Sequence, residues 1–498
     1  MEYLPHYIQS FAPEIVIASG LLVILLTDLF QKDSRRSVSV LAGLFFLAAL
    51  GVTIYNSFLP ATAGFGNKFF PLFASDNLAN FFKVMILGAG FTTVVMTVFS
   101  REFDDQRHRM GDYYVLLSGS VLGALLLSSA TDLIVLYLSL EFLSLLSYIL
   151  AGFHRSDIRS SEASLKYLLY GSAASGIMLF GISLLFGMSG TLNLYDLALF
   201  FADPASNSLL SYLVLFFILL GVGYKISAAP FHFWTPDVFE GSPTPVTAFF
   251  SIAGKAAGIA VFVRILLTAF PGSENTLGYW MTGKSQFWSP LLIILSVLTM
   301  TIGNFSALWQ NNIKRMLAFS SIAHIGYMLA GLAVFSDQGF TSVAAYFLVY
   351  LFMNLGAFLC AVLLKNITGS ESIKDYKGMG YKAPFVAIIF TIFLISLTGL
   401  PPTGGFVVKF YIVIAMVDAN LLTLAIIFLF NSVVSLYYYV RILKHLFLRD
   451  ADDQIAEYTP STSEILVMLA LAIPVLVSGL YFAPLTEYAK SALSLFQM

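Results

Sequence analysis

The sequence predicts an all-α polytopic membrane protein with about fourteen transmembrane helices, forming a single membrane domain over residues 1–498. Two observations carry this prediction. First, 58% of the residues are apolar and only 11% are charged, whereas roughly a quarter are charged in an ordinary soluble domain. Second, the apolar residues form continuous blocks of about 18 to 25 residues, long enough to cross a ~30 Å hydrocarbon core as helices. Spanning strands would be shorter and alternate in polarity, so they are excluded.

The predicted spans are numbered 1 to 14 in chain order. They start near residues 12, 38, 78, 112, 132, 163, 209, 244, 288, 313, 340, 384, 420 and 463. The first block, from about Phe11 to Phe30, has no Lys or Arg before it and no small-residue cleavage site. It therefore predicts a retained span rather than a signal peptide. The polar connections are short, so no soluble domain is expected between spans.

Basic residues follow the odd-numbered spans. After spans 1, 3, 5, 9, 11 and 13 these residues are, in turn, Lys32, Arg35 and Arg36; Arg101, Arg107 and Arg109; Arg155, Arg159 and Lys166; Lys314 and Arg315; Lys365, Lys374, Lys377 and Lys382; Arg441, Lys444 and Arg449. The loops after even-numbered spans offer only Lys68 and Lys284. By the positive-inside rule, the loops after odd spans are cytoplasmic and both termini lie on the other side.

Two spans are predicted to be broken near their middle. Span 7 contains GVGYKISAAPFHFW, broken at Pro230, and span 12 contains SLTGLPPTGGFVVKFY, broken at Pro401, Pro402, Gly404 and Gly405. Proline removes a backbone donor and glycine loosens the remaining helix. Broken backbone is tolerated in a membrane only where it lines protein or water, so both breaks indicate a transport pathway. Chance proline kinks are the alternative interpretation.

The spacing of the breaks predicts two inverted repeats. Spans 7 and 12 are five spans apart and therefore run in opposite directions through the membrane. We expect a first five-helix repeat, spans 4–8, in residues 112–270 and a second, spans 9–13, in residues 287–447. Spans 1–3 occupy residues 1–111, and the C-terminal span lies in residues 462–498.

Four ionisable residues are predicted to lie inside the membrane: Glu141 in span 5, Lys225 at the break of span 7, Lys255 in span 8 and Lys409 in span 12. A charge at mid-bilayer costs on the order of 3 kcal/mol, so each residue needs a compensating role. Desolvation favours a neutral amine and a nearby carboxylate favours the ammonium form, so changes in pairing with Glu141 predict proton uptake and release. Arginine cannot act in this way because it never deprotonates.

Two histidines are candidates for relaying protons between the lysines. His232 lies in APFHFW and His324 in SSIAHIGYML, and a neutral imidazole both donates and accepts a hydrogen bond. Nearby hydroxyls that would support water chains are Ser227, Thr247, Ser320, Ser321 and Tyr327.

Static roles are the alternative for these groups. The four central charges would then form permanent ion pairs. Lys83 and Arg264, near the ends of their spans, are expected to extend their charged groups to the membrane interface. Glu141 is taken to be the only acid fully inside the membrane.

The sequence gives no indication of a bound cofactor, metal or nucleic acid. Cys360 is the only cysteine, which excludes an internal disulfide and a cysteine-ligated iron–sulfur cluster. The stretch GYWMTGKS, from Gly278 to Ser285, matches the phosphate-loop pattern. Its flanks are membrane spans instead of a strand and a helix, so a nucleotide site is rejected there.

Over nearly its whole length the chain resembles the antiporter-like subunits of respiratory complex I and the related multisubunit cation/proton antiporters. The resemblance assigns the family's proton-transfer positions to Glu141, Lys225, Lys255 and Lys409. The segment GLPPTGGFVVKFY and the opening APEIVIASGLLVILLTDLF are similar to the N-type branch of the family, and the chain ends soon after span 14 without a long lateral helix.

This resemblance implies a proton-translocating subunit of an NADH-quinone oxidoreductase in a bacterial cytoplasmic membrane. NADH, flavin, iron–sulfur clusters and quinone are then expected on partner subunits, with no cofactor in this chain. The implied partners are other membrane subunits of the complex, including a neighbouring antiporter-like subunit, together with lipid, protons and water chains.

Three other functions are alternatives to this one. A subunit of a multisubunit cation/proton antiporter would share the same features, and a membrane subunit of a hydrogenase-type complex is a further alternative. A structural membrane scaffold would explain fourteen spans, but not a lysine at each of two helix breaks.

Overall fold

The apolar blocks form long helices in the computed structural model, which describes residues 9–31, 35–58, 72–203, 209–270, 273–274, 280–281, 285–450 and 455–493. Within these residues, thirteen helices are long and apolar enough to cross a membrane. The one predicted span missing from this count is span 12, which is divided into two shorter helices. The prediction of an all-α polytopic membrane protein is confirmed.

The helices follow the predicted order closely. Their bounds are Ala12–Phe30 (span 1), Arg35–Phe58 (2), Asn77–Phe99 (3), Met110–Ser129 (4), Leu133–Ala151 (5), Ile158–Ser189 (6), Leu209–Ile226 and Trp234–Gly241 (7), Thr244–Thr268 (8), Ser285–Ala307 (9), Ile313–Ala333 (10), Asp337–Thr368 (11), Pro384–Thr398 and Gly404–Asp418 (12), Leu422–Phe447 (13) and Thr462–Leu480 (14).

Short elements connect the spans. They are the helices Leu194–Ala202, Met379–Lys382 and Ala483–Ser491, the 3₁₀ helices Arg101–Arg109 and Ile373–Tyr376, and the paired two-residue strands Ser273–Glu274 and Trp280–Met281. The phosphate-loop-like stretch, residues 278–285, lies mostly outside the described residues, as do Lys32, Lys68 and Lys284.

Polar side chains fix where several spans begin. Asp76 accepts a hydrogen bond from the Ala79 amide at the start of span 3, and Asp132 accepts one from the Ile134 amide at the start of span 5. A side-chain oxygen in this position satisfies an amide that has no partner within the helix. These capping residues explain why the apolar blocks begin where they do.

Spans 8, 10 and 11 form the core of the molecule. Almost every side chain of these three helices is buried, whereas spans 1, 2 and 14 are mostly exposed. The exposed side chains on the outer spans are largely apolar, among them Leu22, Leu44 and Leu466. A helix that is apolar on all sides is expected either in a protein core or in lipid. The polar residues of the core therefore lie far from the lipid surface.

The backbone at the break in span 7 is hydrogen-bonded to another span. The first half of span 7 ends at Ile226, and Ser227 takes a left-handed conformation with φ 65°. The Ala229 amide then donates to the Thr299 hydroxyl of span 9 at 2.9 Å. The backbone donor exposed by the break is thus satisfied by protein, as a membrane interior requires.

The break in span 12 follows a different local pattern. The first half ends at Thr398 and is followed by Gly399, whose φ of 88° is left-handed, a conformation that glycine adopts without steric cost. The second half starts at Gly404, and the Gly405 amide donates to the Ser396 hydroxyl at 3.1 Å. Both predicted breaks are therefore present.

Ion pairs gather the ends of the odd-numbered spans at one end of the molecule, which we call the ion-pair face. Its pairs are Arg35–Asp104, Lys166–Asp237, Arg315–Asp237, Arg315–Glu240, Lys314–Glu371, Lys365–Glu371 and Lys365–Glu102. Five of the basic residues used to predict the cytoplasmic loops thus pair with acids from neighbouring loops and helix ends; they are Arg35, Lys166, Lys314, Arg315 and Lys365.

Candidate functional site

Lys225 lies at the end of the first half of span 7 and is bound to a serine of span 5. Its ammonium nitrogen donates to the Ser144 hydroxyl at 2.9 Å, and the side chain is 2% exposed. Glu141 lies one helical turn before Ser144, near enough for its charge to act on Lys225. Among the described residues no ion pair joins the two, and one carboxylate oxygen of Glu141 is buried without a hydrogen-bonding partner. Glu141 itself is half-buried.

Lys255 lies at the centre of the buried core. Its side chain is fully buried, and its ammonium nitrogen donates to the Ser321 hydroxyl of span 10. The ring of Phe239 lies 5.9 Å from the nitrogen. Lys225 approaches the same helix, because its Cε lies 3.5 Å from where a Cβ at Gly254 would be. Lys225 thus packs against span 8 at Gly254, the residue just before Lys255.

His324 lies on span 10, near enough to Lys255 and Lys409 for their charges to act on it. Its Nδ1 is 2.7 Å from the Tyr346 hydroxyl and its Nε2 is 3.4 Å from the Tyr439 hydroxyl. The imidazole is within electrostatic range of both amines. It follows Ser321 by three residues, so both face the same side of span 10.

Lys409 is bound at the break of span 12. Its ammonium nitrogen donates to the carbonyl oxygens of Leu397 and Thr398 at 3.1 and 2.8 Å, and to the Ser432 hydroxyl at 3.1 Å. The Tyr327 ring of span 10 lies 4.7 Å from the nitrogen. The carbonyls freed at the end of a helix attract a cation, so the break itself positions this lysine.

His232 is not joined to the other predicted residues. It lies in the turn between the halves of span 7, and its ring stacks on Phe233 with centroids 4.6 Å apart. Its Nδ1 is buried without a hydrogen-bonding partner among the described residues. Within the same part of the chain, no hydrogen bond links His232 to Glu141 or to a buried lysine.

The predicted hydroxyls form two groups, one on span 10 and one in or near the break of span 7. Ser320 is hydrogen-bonded to Tyr439, Ser321 to Lys255, and Tyr327 to Asn304 in the second half of the site. Ser227 accepts from Thr235 within the break of span 7, and Thr247 donates to backbone carbonyls near it. The hydroxyls near Lys255, His324 and Lys409 thus lie along span 10.

Two basic residues were assigned wrongly from the sequence. Lys83 and Arg264 were expected to reach the membrane interface, but both are buried in ion pairs. Lys83 lies 2.7 Å from Glu14, and Arg264 makes two hydrogen bonds to Asp76 at 2.6 and 2.9 Å. Glu14, the partner of Lys83, lies in the first turn of span 1 and is also buried. The sequence did not reveal these pairs because their partners come from distant helices.

The buried cations therefore form two classes. Lys83, Arg264 and Lys314 each pair with a carboxylate, from Glu14, Asp76 and Glu371 respectively. Among the described residues, Lys225, Lys255 and Lys409 donate only to neutral oxygens. A fixed counter-charge holds a cation in its charged form, whereas an amine bound to neutral oxygens can exist without its extra proton.

Several contacting residues escaped prediction. Ser144 follows Glu141 by one helical turn, so helical spacing could have indicated it. Tyr346 of span 11 and Tyr439 of span 13 contact His324 of span 10, and Ser432 of span 13 binds Lys409 of span 12. No local signal in the sequence indicates these contacts. In the described part of the chain, no group of three or more His, Cys, Asp or Glu side chains is arranged to hold a metal ion.

Comparison with known proteins gives consistent matches. Residues 130–435 match the family described as "NADH:quinone oxidoreductase/Mrp antiporter, TM". The chain is 40% identical to NADH-quinone oxidoreductase subunit N of Chlorobium chlorochromatii, an alignment that covers 98% of this chain and 94% of the relative.

Two solved structures share the fold. A chain of respiratory complex I from Thermus thermophilus with bound aureothin matches with a TM-score of 0.77 and 28% identity, covering 95% of this chain and 98% of that one. A chain of the Mrp complex from a Dietzia species matches with a TM-score of 0.83 at 21% identity, covering 98% of each chain, and at that identity it shows the fold alone.

Proposed function

Because this chain belongs to the NADH:quinone oxidoreductase/Mrp antiporter family and its relatives include subunit N of NADH-quinone oxidoreductase, we propose that Glu141, Lys225, Lys255, Lys409 and His324 carry protons through it. The chain is an antiporter-like, proton-translocating membrane subunit of NADH-quinone oxidoreductase. The resemblance to the N-type branch is confirmed. Of the two classes of buried cation, the three lysines without a carboxylate partner are the observation that carries the proposal.

The proposed relay starts at Lys225 and Glu141. Ser144 holds the Lys225 amine one turn away from the carboxylate, so a small movement of either side chain makes or breaks a direct ion pair. Pairing favours the ammonium form and separation favours release of the proton. Lys225 thus becomes a proton donor when Glu141 turns away.

The later steps follow span 10. Lys255 contacts Ser321, and His324 lies within electrostatic range of Lys255 and Lys409. An imidazole that receives a proton at one nitrogen can release another from its second nitrogen. His232, which has no hydrogen bond to the lysines among the described residues, is proposed to act only through water in the break of span 7.

Partner subunits are proposed to supply the driving reaction. In this proposal they bind NADH, flavin, iron–sulfur clusters and quinone, and this chain binds none of them. A neighbouring antiporter-like subunit and other membrane subunits of the complex complete its surroundings. Glu141 is half-buried near the molecular surface, which allows a neighbouring subunit to influence its position.

The proposed location is a bacterial cytoplasmic membrane. The ion-pair face lies towards the cytoplasm in this proposal, and both termini lie on the other side. The assignment is supported by the basic loops after odd-numbered spans and by the odd-span ends that meet at that face.

Two inverted five-helix repeats are proposed because each set of five spans contains one broken helix. Residues 112–270 and 287–447 each contain one broken helix, and each break is next to a buried lysine. Spans 1–3 and span 14 then flank the repeats within one membrane domain. Two lysines beside two breaks favour transport over a purely structural role.

The proposal is tested with Lys225→Ala and, separately, Glu141→Ala in the assembled complex. NADH-quinone turnover and proton pumping are measured together in membrane vesicles. Both rates are expected to fall while the complex still assembles, because each variant removes one partner of the switch. Lys490→Ala, an exposed lysine of the helix Ala483–Ser491, is the control and should leave both rates unchanged. Full pumping in either test variant rejects the assigned role.

A further inference from the structure

Tyr327 of span 10 contacts Lys409 with its ring and not with its hydroxyl. The ring centroid lies 4.7 Å from the ammonium nitrogen, and both side chains are buried. The oxygens that accept hydrogen bonds from this ammonium are two carbonyls of span 12 and the Ser432 hydroxyl of span 13. The Tyr327 hydroxyl instead accepts from the Asn304 amide of span 9 at 2.9 Å. The two ends of the tyrosine side chain thus contact different spans.

An aromatic ring favours the charged form of an amine beside it. The face of the ring carries negative potential, so it attracts a cation within about 6 Å of its centroid, and the attraction strengthens when the pair is buried. A neutral amine gains little from the same contact. Because the ring has no full charge, release of the proton leaves no buried carboxylate unpaired. A ring can therefore stabilise an ammonium group without making it permanent.

Asn304 belongs to a buried network that fixes the position of this ring. Its amide oxygen accepts from the Tyr438 hydroxyl of span 13 at 3.0 Å, while its amide nitrogen donates to Tyr327. The Asn431 side chain of span 13 lies 3.3 Å from the same nitrogen and donates to Thr301 of span 9. Buried hydrogen-bonded networks hold their members in one arrangement. Spans 9 and 13 thus hold the hydroxyl end of Tyr327.

The carbon atoms of the ring have a separate support. Phe428 of span 13 is fully buried and packs against the Tyr327 ring, with centroids 4.7 Å apart and planes inclined by 54°. This separation is within the range of favourable aromatic pairs. The ring therefore remains packed beside Lys409 even when its hydroxyl is removed.

Few charged groups compete with the ring at this position. Within the described part of the chain, the ionisable side chain within electrostatic range of Lys409 is His324, which also lies on span 10. The second half of span 12 also packs against spans 11, 13 and 14, whose charged residues lie at the helix ends. A change in the ring should therefore act directly on the charge state of Lys409.

We propose that Tyr327 is a positioning residue for Lys409, whose ring stabilises the protonated amine between transfers, and that Asn304 holds the ring in place. This role rests on the proposed function, in which Lys409 carries protons. Each transfer adds one proton to the Lys409 amine and removes one, and the Tyr327 hydroxyl keeps its own. The sequence predicted that this hydroxyl supports a water chain, whereas the role proposed here belongs to the ring.

Fluorinated phenylalanines in place of Tyr327 test the ring in the assembled complex. Tyr327→Phe keeps the ring, and successive fluorine atoms then withdraw electron density from its face with little change in shape. Proton pumping per NADH oxidised is measured from acidic to alkaline pH. Added fluorine should lower the pH at which pumping fails, by about one unit across the series. The direction is downward because a weaker attraction leaves Lys409 less readily protonated.

Asn304→Leu tests how the ring is held. Leucine fills a similar volume but cannot bind the Tyr327 hydroxyl, so pumping at neutral pH should fall several-fold and should fail at a lower pH. The same change combined with Tyr327→Phe should move that pH little, because no hydroxyl remains to be held. Thr97→Val is the matched control, since Thr97 is 2.9 Å from the hydroxyl of another buried tyrosine, Tyr113. Its pH dependence should equal that of the unmodified complex.

Two results would overturn this role. One is a pH dependence that stays the same across the fluorinated series. The other is a loss in Asn304→Leu that is equal at every pH and just as large when combined with Tyr327→Phe. Lys409→Ala separates the role from the proposed function. If Lys409→Ala stops pumping while the fluorinated variants all pump alike, only the role of Tyr327 is wrong; if Lys409→Ala pumps normally, Lys409 carries no proton and both fail.

Discussion

The charge state of a buried amine depends on what it is bound to. Lys225, Lys255 and Lys409 donate to hydroxyls and carbonyls, which offer partial charges but no full counter-charge. Lys83, by contrast, lies against Glu14. Removing a proton from Lys83 would leave a buried carboxylate unpaired, whereas removing one from Lys255 would not. Under the proposed function, this difference separates the lysines that exchange protons from those that keep them.

Lys409→Arg tests whether loss of the proton is required. Arginine keeps the positive charge and can bind the same carbonyls, but it does not deprotonate in proteins. We expect assembly to remain and proton pumping to be lost, measured as proton uptake per NADH oxidised in vesicles. Lys83→Arg is the buried control and should pump normally, since an arginine can still pair with Glu14. Normal pumping by Lys409→Arg would mean that this position needs only charge.

The sequence predicted the ionisable residues of the site but not most of their partners. Lysines in apolar helices are conspicuous, and Ser144 lies one turn from Glu141. Lys225 and Ser144, however, are 81 residues apart, and His324 and Tyr439 are 115 apart. Such contacts depend on how spans pack, which periodicity does not specify. The same limit explains the error at Lys83 and Arg264, whose acids lie in other parts of the chain.

The broken helices were predictable because their cause is local. Proline and glycine disrupt backbone hydrogen bonding wherever they occur, so Pro230 and the segment around Pro401 indicated both breaks. The group that satisfies the break in span 7, Thr299, belongs to span 9 and was not predictable. Local chemistry thus determines where a helix ends, and tertiary packing determines what stabilises that end.

Gly405→Ala tests the close packing at the break of span 12. A Cβ at this position would overlap the Ser396 carbonyl oxygen. We expect a loss of about 1–3 kcal/mol in stability, measured as a lower midpoint of thermal inactivation and less assembled complex. Gly176→Ala in span 6 is the matched control, because a Cβ there meets nothing within 4 Å. Equal stability of the two variants would contradict the packing described here.

At the scale of the whole molecule, the ion-pair face connects loops that are distant in sequence. Burial would raise the pKa of Glu371, but the ammonium groups of Lys314 and Lys365 outweigh it and lower the pKa to about 2. Burial also opposes ionisation of Glu102, yet Lys365 and Lys314 hold its pKa below the ordinary value. Both carboxylates therefore stay ionised at neutral pH and fix spans 3, 10 and 11 to one another.

Acid should loosen this face before it affects the core. A carboxylate whose pKa is lowered on folding stabilises the protein above its unfolded pKa, near 4.5 for Glu371, and this stabilisation disappears as the pH falls towards 2. The contribution is on the order of 3 kcal/mol at most. Thermal inactivation measured from pH 6 to pH 3 should decline less steeply in Glu371→Gln than in the unmodified chain. Parallel curves would show that Glu371 does not contribute.

The pair between Glu14 and Lys83 has a consequence for shortening the chain. Glu14 lies in the first turn of span 1, at the edge of the molecule, where a helix would ordinarily be thought dispensable. Deleting that helix would strand an ammonium group inside span 3 with nothing to neutralise it. A minimal version of this protein must therefore lose span 1 and replace Lys83 by an apolar residue in the same step.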